Sequence, residues 1–330
     1  MKVTNQFFAL AAGALLLTAC STDDDLAPAN SNFPADGVIR VFTDVAEPQT
    51  RAGMTTDNLA GFDLRVVNES NGTYTYHARM EKQGGLWASF EPSVSTPLTP
   101  LTMLWQNKIQ KVKVTAVSNI PSLLPNQWSD GVTVNVSELQ NQETLLQSSD
   151  ILLMKEKEVD PAADLTQDGK MQIRMNHRLA KLNITALLGS EFNKLANGTT
   201  TNPITAISVK GTNLTATWNI NEDVIANFSN IKDVTPWYNA AAYVAGEGDT
   251  QKAEAKYECV LIPQTIGANT FIVSLTINGK TYAWTSSTEL KLDPDTKYNL
   301  TLNVGKEVVT VGGFTAVPWS DGGTSDIETE

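Results

Sequence analysis

Short runs in which apolar and polar residues alternate recur along almost the whole chain, from VIRVFTDV at residues 38–45 to EVVTVGGFTAV at residues 307–317. In an extended backbone successive side chains point to opposite faces, so such a run can bury one face and solvate the other only as a strand. Clusters of Gly, Pro, Asn and Asp separate the runs and punctuate them as turns. The pattern predicts an all-β chain of antiparallel sheets, with more strands than one small sandwich uses. Two tandem β-sandwich domains follow, 36–165 and 166–330, with the boundary in MKEKEVDPAADLTQDGK (154–170), which lacks a strand pattern. The clearest hairpin is FIVSLTINGKTYAWTSS (271–287), where Asn278 and Gly279 suit the positive φ of a two-residue turn. One helix is predicted, around SEFNKLANG (190–198), with Ser190 as its cap and Gly198 as its stop.

The amino terminus fixes a destination. MKVTNQFFALAAGALLLTAC carries a basic Lys2 and an apolar run from Phe7 to Leu17, the plan of a secretory signal and too short for a membrane span. Its end, LTAC, resembles the lipobox at which bacterial lipoproteins are cut and acylated, which makes residues 1–19 a lipoprotein signal peptide, Cys20 the lipidated residue and 20–35 a linker. The STDDD that follows is similar to the acidic signal that sends Bacteroidetes lipoproteins to the outer face of the outer membrane. With Cys20 used this way, Cys259 has no partner and no disulfide framework exists. In KYECVLIP, Cys259 alternates with Tyr257 and Leu261, the position of a small buried hydrophobe. The formal net charge of -12 repels phosphate backbones and excludes nucleic acid as a partner.

Catalytic constellations are sparse. The two histidines, His77 and His177, lie on strand-like runs with no ligand-spaced Cys or carboxylate, which leaves little for a zinc site or a Ser-His-Asp triad. DLTQDG places Asp164, Thr166, Asp168 and Gly169 at calcium-loop positions, but Met175 stands where the bidentate Glu belongs. GEG at 246–248 lacks the third glycine of a dinucleotide loop. No catalytic residue, metal or cofactor is therefore expected, and the chain is read as a non-enzyme. The seven tryptophans fill sandwich cores or, if several share an exposed face, form a platform for sugar rings. The second option gives an alternative reading, a monomeric surface lipoprotein that binds a glycan or host ligand.

Four segments in order carry a family resemblance: SSDILLMK (148–155), MNHRLAKLNITALL (175–188), VLIPQTIGANTFIVSLTINGKTYAWTS (260–286) and LKLDPDTKYNLTLNVGKEVVTVGGFTAVPWSDG (290–322). They resemble the fimbrillin family in its Mfa-like branch, from Bacteroidales. The resemblance implies two transthyretin-like β-sandwich domains, lipoprotein export and assembly with other fimbrial subunits into surface fimbriae. It also gives a meaning to TRAG (50–53), which is similar to the site where an arginine-specific protease cuts assembling fimbrillins after their first strand. Arg51 would then be the processed residue, Ala52 the new amino terminus, and 38–45 the displaced strand. Removing a strand bares unpaired N–H and C=O groups along an edge. The resemblance puts the strand that fills such an edge near the carboxyl end of a neighbouring subunit, here 307–319. That segment suits a donor and a strand closing its own domain equally well.

Overall fold

The computed structural model describes residues 32–46, 53–93, 97–118, 120, 123–193, 201–246 and 252–319. As the alternation predicts, the chain is built mostly of β-strands around two buried clusters of side chains. Eight strands precede residue 178: β1 (Arg40–Val45), β2 (Gly61–Val67), β3 (Tyr76–Gln83), β4 (Leu86–Phe90), β5 (Val112–Ser118), β6 (Val132–Asn135), β7 (Leu152–Val159) and β8 (Lys170–His177). Seven of them run in the order β1-β8-β7-β5-β2-β3-β4. The path folds back between β7 and β8, which pair only at Leu152 with His177 and Leu153 with Asn176. Side chains from β1 and β8 meet those of β2, β3, β5 and β7 in one core, to which β8 contributes Met171, Ile173 and Met175 while Gln172, Arg174 and Asn176 face outward.

Eleven strands follow: β9 (Ala180–Leu188), β10 (Ile204–Asn219), β11 (Val224–Val234), β12 (Trp237–Tyr238), β13 (Ala253–Leu261), β14 (Thr265–Ile266), β15 (Ile272–Ile277), β16 (Lys280–Thr285), β17 (Leu290–Lys291), β18 (Thr296–Val304) and β19 (Val309–Pro318). One sheet runs β11-β10-β15-β16 and another β12-β13-β9-β18-β19, and both supply the second core. The expected hairpin is present: Ile277 pairs with Lys280, and Asn278 and Gly279 take φ of 52° and 77°.

The antiparallel plan has two exceptions. β1 pairs with β8, and β9 with β18, in parallel. Both pairs join strands far apart in sequence, where no tight turn dictates direction. Around residue 165 the chain is interleaved: β8, beyond it, pairs in the first sheet, whereas β6, before it, pairs with β10 in the second body. The expected helix begins as α3 (Ser190–Asn193), and residues 194–198 of that expectation lie outside the described residues. Two short helices were not predicted, α1 (Gln127–Asp130) and α2 (Glu143–Ser149). At one or two turns each, they are too brief to print a helical period in the sequence.

Candidate functional site

The first element of interest is β1, the terminal strand of its sheet. It has one sheet neighbour, β8, in a parallel register from Arg40 with Lys170 to Val45 with Met175. Val41, Thr43 and Val45 face the core, and Phe42, on the opposite face, is 47% exposed. Ile39 and Ala46 are buried on either side of the strand. The Trp87 indole N–H donates to Thr43 Oγ1 at 3.1 Å, and the Ala46 N–H donates to the Met175 carbonyl at 2.9 Å. Ahead of the strand Arg40 forks onto Asp36, holding that carboxyl down at about 2.

The chain is tied down again only a few residues past β1. Gly53 is buried at φ +132°, where a Cβ would come within 3.3 Å of both Asp150 Oδ2 and Trp319 Cζ2. An L-residue with a side chain rarely adopts this backbone, and the space is already filled. The Met54 N–H donates to Asp150 Oδ2 at 2.8 Å, and Thr56 Oγ1 accepts from the Val45 N–H at 3.0 Å. Asp150 stands at the C-terminal end of α2 and is fully buried. Its Oδ2 also lies 2.8 Å from His177 Nδ1 at the end of β8. The His177 ring stacks on Trp319, with centroids 3.9 Å apart and planes 2° from parallel.

Trp319 follows β19 directly and is completely buried. Its N–H donates to the Asp295 carbonyl at 2.7 Å, and the Lys181 ammonium, itself paired with Glu258 at 2.6 Å, lies 5.7 Å from its ring. Four distant parts of the chain therefore meet at one point: the segment after β1, the end of α2, the end of β8 and the end of β19.

β19 is itself a terminal strand, paired antiparallel to β18 from Thr296 with Pro318 to Val304 with Val309. It is one ten-residue strand rather than two pieces around the glycines, with an irregularity where Gly313 pairs with Thr301 and Val311 with Leu302. Gly312 is the residue passed over. A Cβ there would meet Asn303 Nδ2 at 2.7 Å, so a side chain at this place would require the Asn303 amide to move. Phe314 packs against Tyr298, centroids 5.7 Å apart, and against Trp284 at 6.4 Å. In this arrangement β19 closes its own sheet.

The residues singled out for processing, Cys20, Arg51 and Ala52, lie outside the described residues. His77 is half-buried on β3, where burial and the Arg65 charge lower its pKa. Cys259 is fully buried on β13, and burial pushes its thiol far up, so it stays protonated. DLTQDG forms a turn into β8 in which Asp168 is held by Thr166 at 2.6 Å and Lys170 at 2.5 Å. Among the described residues no cluster of His, Cys, Asp and Glu suits a metal. The tryptophan platform does not form: Trp105, Trp128, Trp218 and Trp319 are buried, and Trp87, Trp237 and Trp284 are half-buried, because large rings are recruited to the cores.

A fimbrillin-like family model matches residues 35–319. The chain belongs to the fimbrillin-like family. The match begins just ahead of β1 and ends on Trp319, so both terminal strands lie within it. Among solved structures, a protein from Bacteroides ovatus ATCC 8483, provisionally described as a cell adhesion protein, superposes with a TM-score of 0.58 at 14% identity over 86% of this chain and 97% of its own. One from Bacteroides uniformis ATCC 8492, described in the same way, gives 0.54 at 16% identity over 87% and 99%. The tip fimbrial protein Mfa3 of Porphyromonas gingivalis, with a C-terminal truncation, is also similar, at a TM-score of 0.46 and 11% identity over 86% and 98%. The comparison with curated proteins found no match.

What this fimbrillin-like chain offers chemically is main-chain hydrogen bonding along sheet ends, among them β1 and β19. Such edges recruit another strand when a native one leaves. Sequence reasoning reached both strands but missed Asp150 and the pairing of His177 with it. The available signals were a glycine just behind TRA and a tryptophan just behind the last strand.

Proposed function

We propose that the chain is a structural subunit of a cell-surface fimbrium, exported as a lipoprotein through Cys20 to the outer membrane. An arginine-specific protease cuts it after Arg51, and it joins other fimbrial subunits by strand exchange, with β1 leaving and the β19 segment of a neighbour as the strand offered. It carries no catalytic role. The division into two domains near residue 165 belongs to the same reading, with β6 and β8 each reaching into the other body.

The observation that carries this reading is the pair of anchors around residues 47–52. Ala46 is tied to Met175 on one side, and on the other Met54 is tied to Asp150 while Gly53 lies where an added Cβ would meet Trp319. A cut between them severs β1 from the chain and leaves the remainder fastened at the junction. Before the cut, β1 occupies its slot intramolecularly, at an effective concentration that a second chain cannot match. Afterwards it is held by its own contacts alone, and another strand can replace it.

Trypsin treatment of the purified chain tests this. The expected product begins at Ala52 and forms ladders of oligomers, while Arg51→Ala stays monomeric under the same treatment. If Arg51→Ala polymerises as readily as the parent, the cut-site assignment is wrong.

A further inference from the structure

On the flank of the second body, between the start of β10 and the β12-β13 pair, lies a cleft of about 580 Å³. Tyr238, Tyr243 and Tyr257 line it together with Asn141, Asn202 and Thr205, and no acidic or basic side chain is among its lining residues. The volume lies within the range of small-molecule sites, about 300–1,000 Å³.

The polar groups are held in place before any ligand arrives. Asn202 Nδ2 donates to the Tyr257 hydroxyl oxygen at 2.7 Å, and Asn202 Oδ1 accepts from the Ile204 N–H at 3.0 Å. The Tyr257 oxygen is thus used as an acceptor, which leaves its hydroxyl proton to be given away. The Tyr238 ring tilts by 34° against Tyr257, centroids 5.2 Å apart, and both Tyr238 and Tyr243 are half-exposed. Burial raises the pKa of all three phenols, so they stay neutral, and the Tyr243 hydroxyl donates to the Thr201 carbonyl at 3.4 Å, which leaves its oxygen to accept.

Three aromatic rings, an orienting amide and neutral hydroxyl groups that can donate or accept match a ligand with apolar C–H faces and several hydroxyl groups. A charged ligand finds no counter-ion here, and a purely apolar one leaves the amide and hydroxyl groups without partners. We propose that this cleft binds a neutral saccharide of two or three rings. The proposal stands independently of strand exchange and of Arg51.

The test is saturation-transfer NMR and calorimetry on the full chain with three probes, maltotriose, cellotriose and mannotriose, and with trigalacturonic acid as the charged counterpart. At least one neutral trisaccharide should bind saturably, with transfer to its ring C–H protons and weaker binding of the acid. Tyr243→Ala and Asn202→Ala should each weaken binding at least about tenfold, the equivalent of one aromatic or hydrogen-bond contact. Leu86→Ala, an exposed change in the first body, should leave it unchanged. Because Asn202→Ala touches Tyr257, an unchanged thermal midpoint is required of both variants, and Tyr243→Phe should retain the stacking part of the affinity. The proposal is overturned if none of the three trisaccharides binds, if Tyr243→Ala binds as tightly as the parent, or if the acid binds best.

Discussion

Trp319 joins distant parts of the molecule. One face lies on His177, a lysine ammonium sits near the ring, and Gly53 abuts its edge. Trp319→Ala should lower the unfolding free energy by about 3–5 kcal/mol, the usual cost of emptying a buried aromatic site. Urea unfolding would show a lower midpoint at an unchanged slope, and hydrogen exchange would quicken at Gly53–Met54 and along β19 together. Trp319→Phe should recover a large part of both. An unchanged midpoint would mean that the ring is not the clasp. Asp36 acts at the opposite end of β1. Its carboxyl is held at about 2, first by its hydrogen bond to Arg40. A depressed folded pKa contributes stability above the unfolded value of about 4, which is lost as the pH falls toward 2. A carbon-detected titration should therefore give Asp36 a midpoint near 2. A midpoint near the ordinary aspartate value of about 3.9 would show that Arg40 does not hold it. The pair is exposed, so salt should weaken it.

At the scale of the strand, β1 separates two neighbours of opposite fate. Val41 is 6% exposed and Phe42 is 47% exposed. Val41→Asp would place a carboxylate in the core without a partner, which is costly unless the strand leaves. Its expected effect is a β1 that detaches in the uncut chain, read as loss of amide protection along β8 and as oligomers without protease. Phe42→Asp changes only the solvent face and should stay within about 0.5 kcal/mol of the parent. If the two variants behave alike, β1 is not the strand whose docking controls assembly. β19 has no fully buried residue of its own, and Phe314 and the Trp319 just behind it anchor it in addition to its hydrogen bonds. Donating it requires unstacking both rings.

For the whole molecule, the lipid proposed at Cys20 is the anchor to test. Cys20→Ser should abolish labelling by a palmitate analogue and remove the protein from the outer-membrane fraction, with the folded body unaffected because residue 20 lies far ahead of β1. Persistent labelling would sink the lipoprotein reading while leaving the strand-exchange test at Arg51 intact. The two bodies do not behave as beads on a string. Lys155 and Arg178 both reach Asp223 across them, Arg65 donates to Asn221 at 2.7 Å, and β6 pairs with β10.

By itself the sequence determined the strand content, the Asn278–Gly279 hairpin and the buried state of Cys259, because each follows from a period of two or from the φ preference of one or two adjacent residues. It also held, in the order of four short segments, the family to which the chain belongs. Partners far apart along the chain were decided only by the tertiary structure. The parallel match of β1 to β8, the interleaving of β6 and β8, and the convergence of Gly53, Asp150, His177 and Trp319 all join residues between 27 and 266 positions apart. No local pattern encodes such pairings, since any strand with one apolar face satisfies the same alternation. The choice among them is made by how side chains fill two cores at once, and a buried carboxylate such as Asp150 is legible as a site only when its imidazole and its backbone donor are seen around it.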